Sequence, residues 1–306
     1  MNQRSAFHRP RLLVVGCGDV GMRLLPLVAQ RFRVFAVTSQ PERFSELRAA
    51  GAHPVLADLD RPETLGRLRG LAGWVLHLAP PQPEGEHDLR TRRLVAALGG
   101  AVSRMVYVST TGVYGDCGGE EVRESRPVAP KNARAVRRVD AEAVLRAWAL
   151  GANARLSILR VPGIYAADRL PVKRLEQGTP ALRAEDDVYT NHVHADDLAR
   201  IVLLALQRGR HGRVVHAVDD TRLKMADYFD AVADALDLPR PPRLPRAELR
   251  QVVSPALLSF MSESRRLDNT RLRHELRARL RYPDVQALLA QMRAAPVQSG
   301  PQGETT

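Results

Sequence analysis

The sequence predicts an α/β fold, a doubly wound parallel sheet of about seven strands with a small, mainly helical C-terminal lobe. Three observations predict it. Up to Val218, short apolar runs alternate with helical stretches that are polar on one face, which is the order of elements in a parallel sheet. A glycine cluster follows the first apolar run directly. Past Val218 the strands stop, and helical pieces separated by the Pro-rich stretch Leu238 to Pro245 take over. The chain has 306 residues and is 44% hydrophobic, enough for one large core or two modest lobes.

The predicted strands are Leu12 to Val15, Val34 to Thr38, His53 to Ala57, Trp74 to Leu78, Met105 to Ser109, Leu156 to Leu159 and Val214 to His216. Helices are expected between them at Val20 to Gln30, Pro41 to Ala50, Pro62 to Leu68, His87 to Leu98, Ala135 to Ala149 and Ala195 to Leu206. Pro41 and Pro62 stand at helix starts, where a missing N–H costs nothing, and Gly51 and Gly151 stand at helix ends. Residues 1–218 then form the sheet domain, residues 219–295 a helical lobe, and the insert 169–188 is expected to join that lobe. The polar tail 296–306 is expected to be disordered.

Composition excludes several classes. No window reaches the roughly 18 consecutive apolar residues of a membrane helix, and the start MNQRSAFHRPRLLVVG lacks a secretory apolar region and cleavage site. The only cysteines, Cys17 and Cys117, are too few for a secreted disulfide framework, which points to a reducing cytoplasm. The net charge of +12 raises the question of nucleic acid. Lys occurs only at 131, 173 and 224, however, so 43 of the 46 basic residues are Arg, dispersed among Ala, Leu, Asp and Glu along the chain. Even the densest run, Arg265 to Arg281, has no interleaved aromatics, so a compositional preference explains the charge and a nucleic-acid partner is not expected.

Gly16-Cys17-Gly18-Asp19-Val20-Gly21 is G-x-G-x-x-G between a strand and a helix, the arrangement of a Rossmann dinucleotide site. Gly16 would make the tight turn, Gly18 would admit a pyrophosphate against the backbone, and Gly21 would allow close helix-to-strand packing. Asp19 and Val20 would open the helix whose N-terminus faces the anion. About 20 residues on, where an acidic residue would grip the ribose of NAD, stand Thr38 and Ser39. Their neutrality removes the usual obstacle to NADP. Ser39 could donate to a 2′-phosphate and Arg43 could reach it, although a solvated helix charge explains Arg43 equally well. Asp58 suits a hydrogen bond from the adenine amino group, or a plain turn. NADP is therefore the preferred cofactor expectation, with NAD as the alternative.

From about Arg11 to Val218, with weaker echoes to Tyr282, the chain resembles the short-chain dehydrogenase/reductase superfamily, in its extended or atypical branch of NAD-dependent epimerases and dehydratases. The residues carrying the resemblance are the glycine loop, Asp58, His77-Leu78-Ala79, Val108-Ser109-Thr110-Thr111-Gly112-Val113-Tyr114-Gly115, Arg160-Val161-Pro162-Gly163-Ile164-Tyr165 and His192-Val193-His194-Ala195-Asp196-Asp197. The resemblance implies that Leu78, Ala79, Pro80, Pro162 and Ile164 line the cofactor. It implies that Thr110, or one position on Thr111, binds the reacting oxygen, and that Tyr165 and His192 belong to the substrate side.

The superfamily's catalytic Tyr and Lys lie four residues apart on the helix before the sixth strand. Counting back from Glu142 places them at Arg134 and Arg138, so neither catalytic residue is present. Arginine stays protonated and cannot shuttle a proton. On one helical face, the two could instead hold an anionic substrate if that face looks into the cleft, or form surface charge if it looks outward. Tyr114 is the tyrosine nearest the fifth-strand loop and is the candidate proton donor, with substrate contact or packing as its other explanation. Cys117, in a loop beside the expected nicotinamide end, reads as an inert thiol.

Other chemistries find less support. His192 and His194 would project to one side of a strand with Asp196 beyond, but no second His, Cys or Asp cluster joins them, and Asp196-Asp197 reads as an N-cap pair, so no metal is expected. Ser109 lacks the G-x-S-x-G elbow of a serine hydrolase. Two functions remain: an oxidoreductase or epimerase/dehydratase-like enzyme moving a hydride on a small polar substrate, with anionic and nucleotide-sugar-like compounds among the candidates, and a catalytically weak or inactive NADP-binding sensor or regulatory protein.

Overall fold

The computed structural model describes residues 9–254, 257–258 and 261–294, so the tail expected to be disordered lies outside the described residues. The first half runs β1 (Arg11–Val15), α1 (Asp19–Val28), β2 (Arg33–Thr38), α2 (Phe44–Ala49), β3 (His53–Leu56), β4 (Trp74–His77), α3 (Leu89–Leu98) and β5 (Arg104–Thr110). Then come β6 (Glu121–Val122), α4 (Ala133–Gly151), β7 (Arg155–Val161), β8 (Gly163–Tyr165), α5 (Val172–Glu176), β9 (Ala181–Leu182), β10 (His192–His194), α6 (Ala195–Arg208) and β11 (Arg213–His216). The remainder is α7 (Met225–Ala235), β12 (Arg243–Leu244), α8 (Arg246–Val252), β13 (Arg266–Leu267) and short helices at Thr270–His274 and Val285–Ala294.

Seven strands form one parallel sheet in the order β11-β7-β5-β4-β1-β2-β3. All seven predicted strands are present, shifted at their ends by a residue or two. Their continuous apolar runs, such as the buried Leu12 to Val15, reflect cover on both faces. One face packs α1, α2 and α6 through Leu24, Leu47, Leu198 and Val202, and the other packs α3 and α4 through Leu94, Leu98, Ala141 and Leu145. Chain order reverses direction between β1 and β4, so the loops after these neighbours part and leave a crevice at their C-terminal ends.

Several local readings need correction. Pro62–Leu68 is a 3-10 helix containing Gly66, and the stretch from Pro41 begins as a 3-10 turn before α2. Asp88 caps α3 by accepting from the Thr91 N–H, so that helix starts at Leu89 and not at His87. Helix α4 runs through Gly151, and the chain turns at Asn153, whose φ is 49°. The predicted N-cap pair Asp196-Asp197 does not cap α6. His194 does so, its Nδ1 accepting from the Asp196 N–H at 3.2 Å.

Asp197 instead accepts the backbone N–H groups of Arg281 and Tyr282, fastening the C-terminal segment to the sheet domain. The insert 169–188 packs Leu170, Leu175 and Ala181 against Phe229, Val232 and Leu288, and its strand β9 pairs with β12. Strand β13 likewise pairs with β6. These two-residue strands are too short to show a period in sequence, yet they bring the C-terminal lobe over the crevice.

Replacing the buried Asp197 with Ala would strand two backbone donors. The expected cost is about 1–3 kcal/mol. Urea unfolding should show it, with faster hydrogen exchange at the Arg281 and Tyr282 amides, and unchanged exchange there would exclude this anchoring role.

Candidate active site

The crevice is a cleft with a volume of about 1100 Å³. Its floor is the glycine loop. Gly16 has a φ of 86°, and a Cβ there would lie 2.4 Å from the Ala79 nitrogen, so the loops after β1 and β4 touch through bare backbone. A Cβ on Gly18 would meet nothing within 4 Å, and Gly18 faces the cleft, which leaves room for a ligand to approach the backbone. A Cβ on Gly21 would come within 3.0 Å of Cys17 Sγ, so this glycine makes room for Cys17 more than for a strand. Burial pushes the Cys17 thiol up to about 11, which keeps it neutral packing material. The first-turn N–H groups of α1, beginning at Asp19 and Val20, have no intrahelical partners and border the cleft.

Thr38, Ser39 and Arg43 line the end of the cleft beside β2. Arg43 spans from α2 to the glycine loop, donating to Glu46 at 2.9 Å and to the Cys17 carbonyl at 2.8 Å. Asp58 lies on the same wall, and its carboxylate accepts the Asp60 N–H, so it makes a turn and borders the cleft at once. Leu78, Ala79, Pro80, Pro162 and Ile164 line the middle. Thr110 and Thr111 lie beyond them. The Thr110 Oγ1 accepts the Gly112 N–H at 3.2 Å and Thr111 is mostly buried.

The two arginines at the start of α4 have different tasks. Arg138 is buried and donates to the Val108 carbonyl at 2.8 Å, the Tyr107 hydroxyl at 3.0 Å and the Ala79 carbonyl at 3.4 Å. It braces the ends of β4 and β5, so the expected grip on a substrate does not fit its bonding. Arg134 is exposed at the cleft wall and has no hydrogen bond or ion pair among the described residues. Partial desolvation and the charges of Arg138 and Arg137 lower its pKa from the ordinary arginine value. A guanidinium is protonated nonetheless.

The structure does not bring Tyr114, Tyr165 or His192 to the cleft. The Tyr114 side chain is 1% exposed, and its hydroxyl lies 2.7 Å from Arg160 and 2.6 Å from His216 Nε2. Arg160 can only donate. His216 Nδ1 faces the Asp268 carbonyl at 2.9 Å and must donate, so Nε2 accepts the Tyr114 proton. Arg160 also clasps Glu142 through two nitrogens, and Ser109 donates to the same carboxylate at 2.7 Å. This buried chain holds the loop after β5 from behind. Tyr165 and His192 sit on paired strands β8 and β10, where alternation sends Ile164 to the cleft and turns the two rings away to pack with His194 and Tyr228. Cys117 is buried, and burial raises its thiol pKa. No group of three His, Cys, Asp or Glu suited to a metal occurs among the described residues.

Asn132, Tyr189, Asn191, Glu263 and Arg265 close the far wall, and sequence reasoning missed all five. Arg265 pairs with Glu263 at 2.7 Å, and Asn191 fixes that segment by donating to the Arg265 carbonyl and accepting the Leu267 N–H. Tyr189 and Asn191 directly precede the quoted His192 motif, a usable signal. Glu263 and Arg265 carry none, because the β13–β6 pairing and long-range bonds to Asn191, Gly115 and Asp116 place them.

Tyr114→Phe is expected to leave Arg160 and His216 short of a partner and to lower stability by about 1–3 kcal/mol, with turnover per folded molecule little changed. Denaturant unfolding beside steady-state kinetics separates these effects. A pH dependence also follows. Burial lowers His77 to about 3 and His192 and His216 to about 4, so below about pH 6.5 the unfolded chain binds protons that the folded chain refuses. Asp219, pushed up to about 7 by burial, acts in the opposite sense, losing its contribution as pH rises. Glu124 and Asp187, also raised by burial, act with Asp219. The three imidazoles, together with carboxylates that arginines hold low, such as Asp60 and Glu275, outweigh them, so urea midpoints should fall as pH drops from about 6.5 towards 4. A flat profile would exclude the neutral imidazoles.

The fold agrees with what similar proteins show. Residues 12–217 match the sequence model of the NAD dependent epimerase/dehydratase family. The 4-hydroxy-2-methyl-3-oxo-4-farnesyl-3,4-dihydroquinoline-1-oxide ketoreductase of Stigmatella aurantiaca is 28% identical over 237 residues, covering 70% of this chain and 69% of the relative. A functionally unknown conserved protein from Silicibacter pomeroyi DSS superposes with a TM-score of 0.76 at 27% identity, covering 93% of this chain and 98% of that one. The dTDP-glucose 4,6-dehydratase DesIV from Streptomyces venezuelae, with NAD and TYD bound, shares the fold with a TM-score of 0.73 at 23% identity, covering 92% and 96%. With two thirds of its length matched, and with its glycine loop opening on one continuous cleft, this chain belongs to the NAD dependent epimerase/dehydratase family.

Proposed function

We propose that this protein is an oxidoreductase that prefers NADP and moves a hydride to or from the carbonyl carbon of a small polar substrate in the reducing cytoplasm. The observation that carries the reading is the continuity of the cleft from Gly18, where a missing Cβ leaves open space, to Thr110 and Arg134. A bound nicotinamide supplies hydride chemistry at its C4. The residues present fit such a group. Gly18 and the first turn of α1 would take the diphosphate, Thr38 and Ser39 would meet the ribose, and Arg43 would hold a 2′-phosphate. Thr110 would hydrogen-bond the reacting oxygen. Arg134 would bind a substrate anion or steady negative charge on that oxygen, while Arg138 stays a brace. The ketoreductase relative favours carbonyl reduction among the family's reactions.

The arginines at the Tyr and Lys positions also support a second reading, an NADP-binding sensor that has lost proton transfer. Incubation with NADPH and a panel of carbonyl compounds, following nicotinamide absorbance, separates the two. Carbonyl-dependent oxidation of NADPH is expected, reduced about 10²-fold in Thr110→Val through loss of one donor to the reacting oxygen. Tight binding without turnover across the panel would favour the sensor.

Cofactor choice is a separate test. NADPH is expected to bind more tightly than NADH by about 1–3 kcal/mol through one charge-assisted hydrogen bond from Arg43. Fluorescence titration should show that advantage shrinking in Arg43→Ala, and equal binding of both cofactors by the wild-type protein would count against NADP.

A further inference from the structure

The lip of the cleft opposite Arg43 carries a cluster of charges that the proposed chemistry does not use. Arg23, one turn into α1, donates to Asp19 at 2.9 Å, to Asp196 at 2.8 Å and to Asp168 at 3.0 Å. Three elements are thereby tied together: α1, the first turn of α6, and the 3-10 turn Ala167–Arg169 after β8. The last residue of that turn, Arg169, reaches back across the cleft and donates to the second oxygen of Asp19 at 2.7 Å. Both Asp19 and Arg169 line the cleft, beside Gly16 to Gly21.

The turn is well anchored. Ala166 and Leu170, on either side of it, are buried, and Arg169 N–H donates to the Ala166 carbonyl. Its side chain is about one-third exposed, and among the described residues only its Nη1 has a partner. A guanidinium with donors to spare therefore stands over the α1 N-terminus.

The charge of Asp19 makes this placement matter. A carboxylate on the first turn suits the helix dipole of an empty site, but it repels a diphosphate brought to the same N-terminus. Arg169 offsets that repulsion, and its free N–H groups match phosphate oxygens in geometry and charge. We infer that Arg169 is a diphosphate-binding residue, a clasp that holds the dinucleotide from beside the glycine loop and slows its release. The inference rests on the proposed cofactor reading and adds to the backbone cradle a side-chain contact of this chain's own.

Binding kinetics test it without reference to turnover. In Arg169→Ala, NADPH is expected to dissociate about tenfold faster, with equilibrium affinity weakened in proportion and Arg169→Lys intermediate. Adenosine 2′-monophosphate, which carries the adenosine and 2′-phosphate but no diphosphate, should bind Arg169→Ala and wild type alike. Asp19→Asn should act in the opposite direction and tighten NADPH, because it removes the repelling charge and frees Arg169. If Arg169→Ala releases NADPH at the wild-type rate, or if both variants weaken it equally, the pair is only a structural ion pair and the clasp is overturned. If Arg169→Ala weakens adenosine 2′-monophosphate as much as NADPH, the diphosphate assignment fails. Wild-type protein that binds neither NADPH nor NADH overturns the cofactor reading as well.

Discussion

The contact between the backbones of Gly16 and Ala79 is the constraint on which the rest of the site depends. β1 and β4 are neighbours in the sheet, but the chain leaves them in opposite directions, so their following loops must touch at one point and diverge beyond it. A side chain at Gly16 would fall on the Ala79 backbone and force the strands' ends apart. With the two loops in contact, α1 points its N-terminus into the crevice and the loop after β4 becomes its other wall. From there Arg138 bonds the ends of β4 and β5, and the Glu142–Arg160 pair supports the loop after β5. The cleft is thus braced from the glycine loop to Thr110 by groups behind its surface.

Arginine does much of this bracing. A guanidinium can bond several acceptors in different directions while it stays charged, and three buried or half-buried arginines each join separate elements here. Arg138 joins β4 to β5, Arg160 joins α4 to the loop after β5, and Arg23 joins α1 to α6 and the insert. The run Arg265 to Arg281, which reads in sequence as a compositional preference, is used in part the same way. Arg266 donates to the Gly119 carbonyl, Arg271 to the Val214 carbonyl, and Arg273 pairs with Asp220.

The sheet was legible because its signal is local. Each strand is an apolar run ended by a loop, and the glycine motif names the crevice that the order of strands then produces. The cleft wall beside the glycine loop was legible for the same reason, since Thr38 and Leu78 end predicted strands and Asp58 directly follows one. The far wall was not. Glu263 and Arg265 reach the cleft through a two-residue strand pairing with β6 and through bonds to Asn191 and Gly115, and no local periodicity marks such long-range contacts. Tyr114 misled for a related reason. Nearness in sequence to Thr110 says nothing of which side of the loop a ring takes, and here the 3-10 turn Thr111–Tyr114 carries it behind the sheet to Arg160 and His216. Asp197 was read as a cap from its neighbours, while its true partners lie at the far end of the chain.

Arg138 also explains why losing the Tyr and Lys pair need not undo the cleft. A lysine at that position would place one cation near the end of β5 and could lower the pKa of a neighbouring phenol. Arginine keeps the cation and binds three oxygens with it, one of them the Tyr107 hydroxyl, while position 134 carries a second arginine. The positive charge at this end of the cleft is therefore permanent across the usable pH range. Under the proposed oxidoreductase reading, such a site would favour substrates that bring or develop negative charge and would draw its proton from the medium or a hydroxyl at hand. Positioning would then account for more of any rate enhancement, and the braced cleft suits it. The same rigidity with a fixed charge would serve a protein that only holds its cofactor, so the balance between the two proposed functions would turn on Thr110, the hydroxyl proposed to meet the reacting oxygen, more than on either arginine.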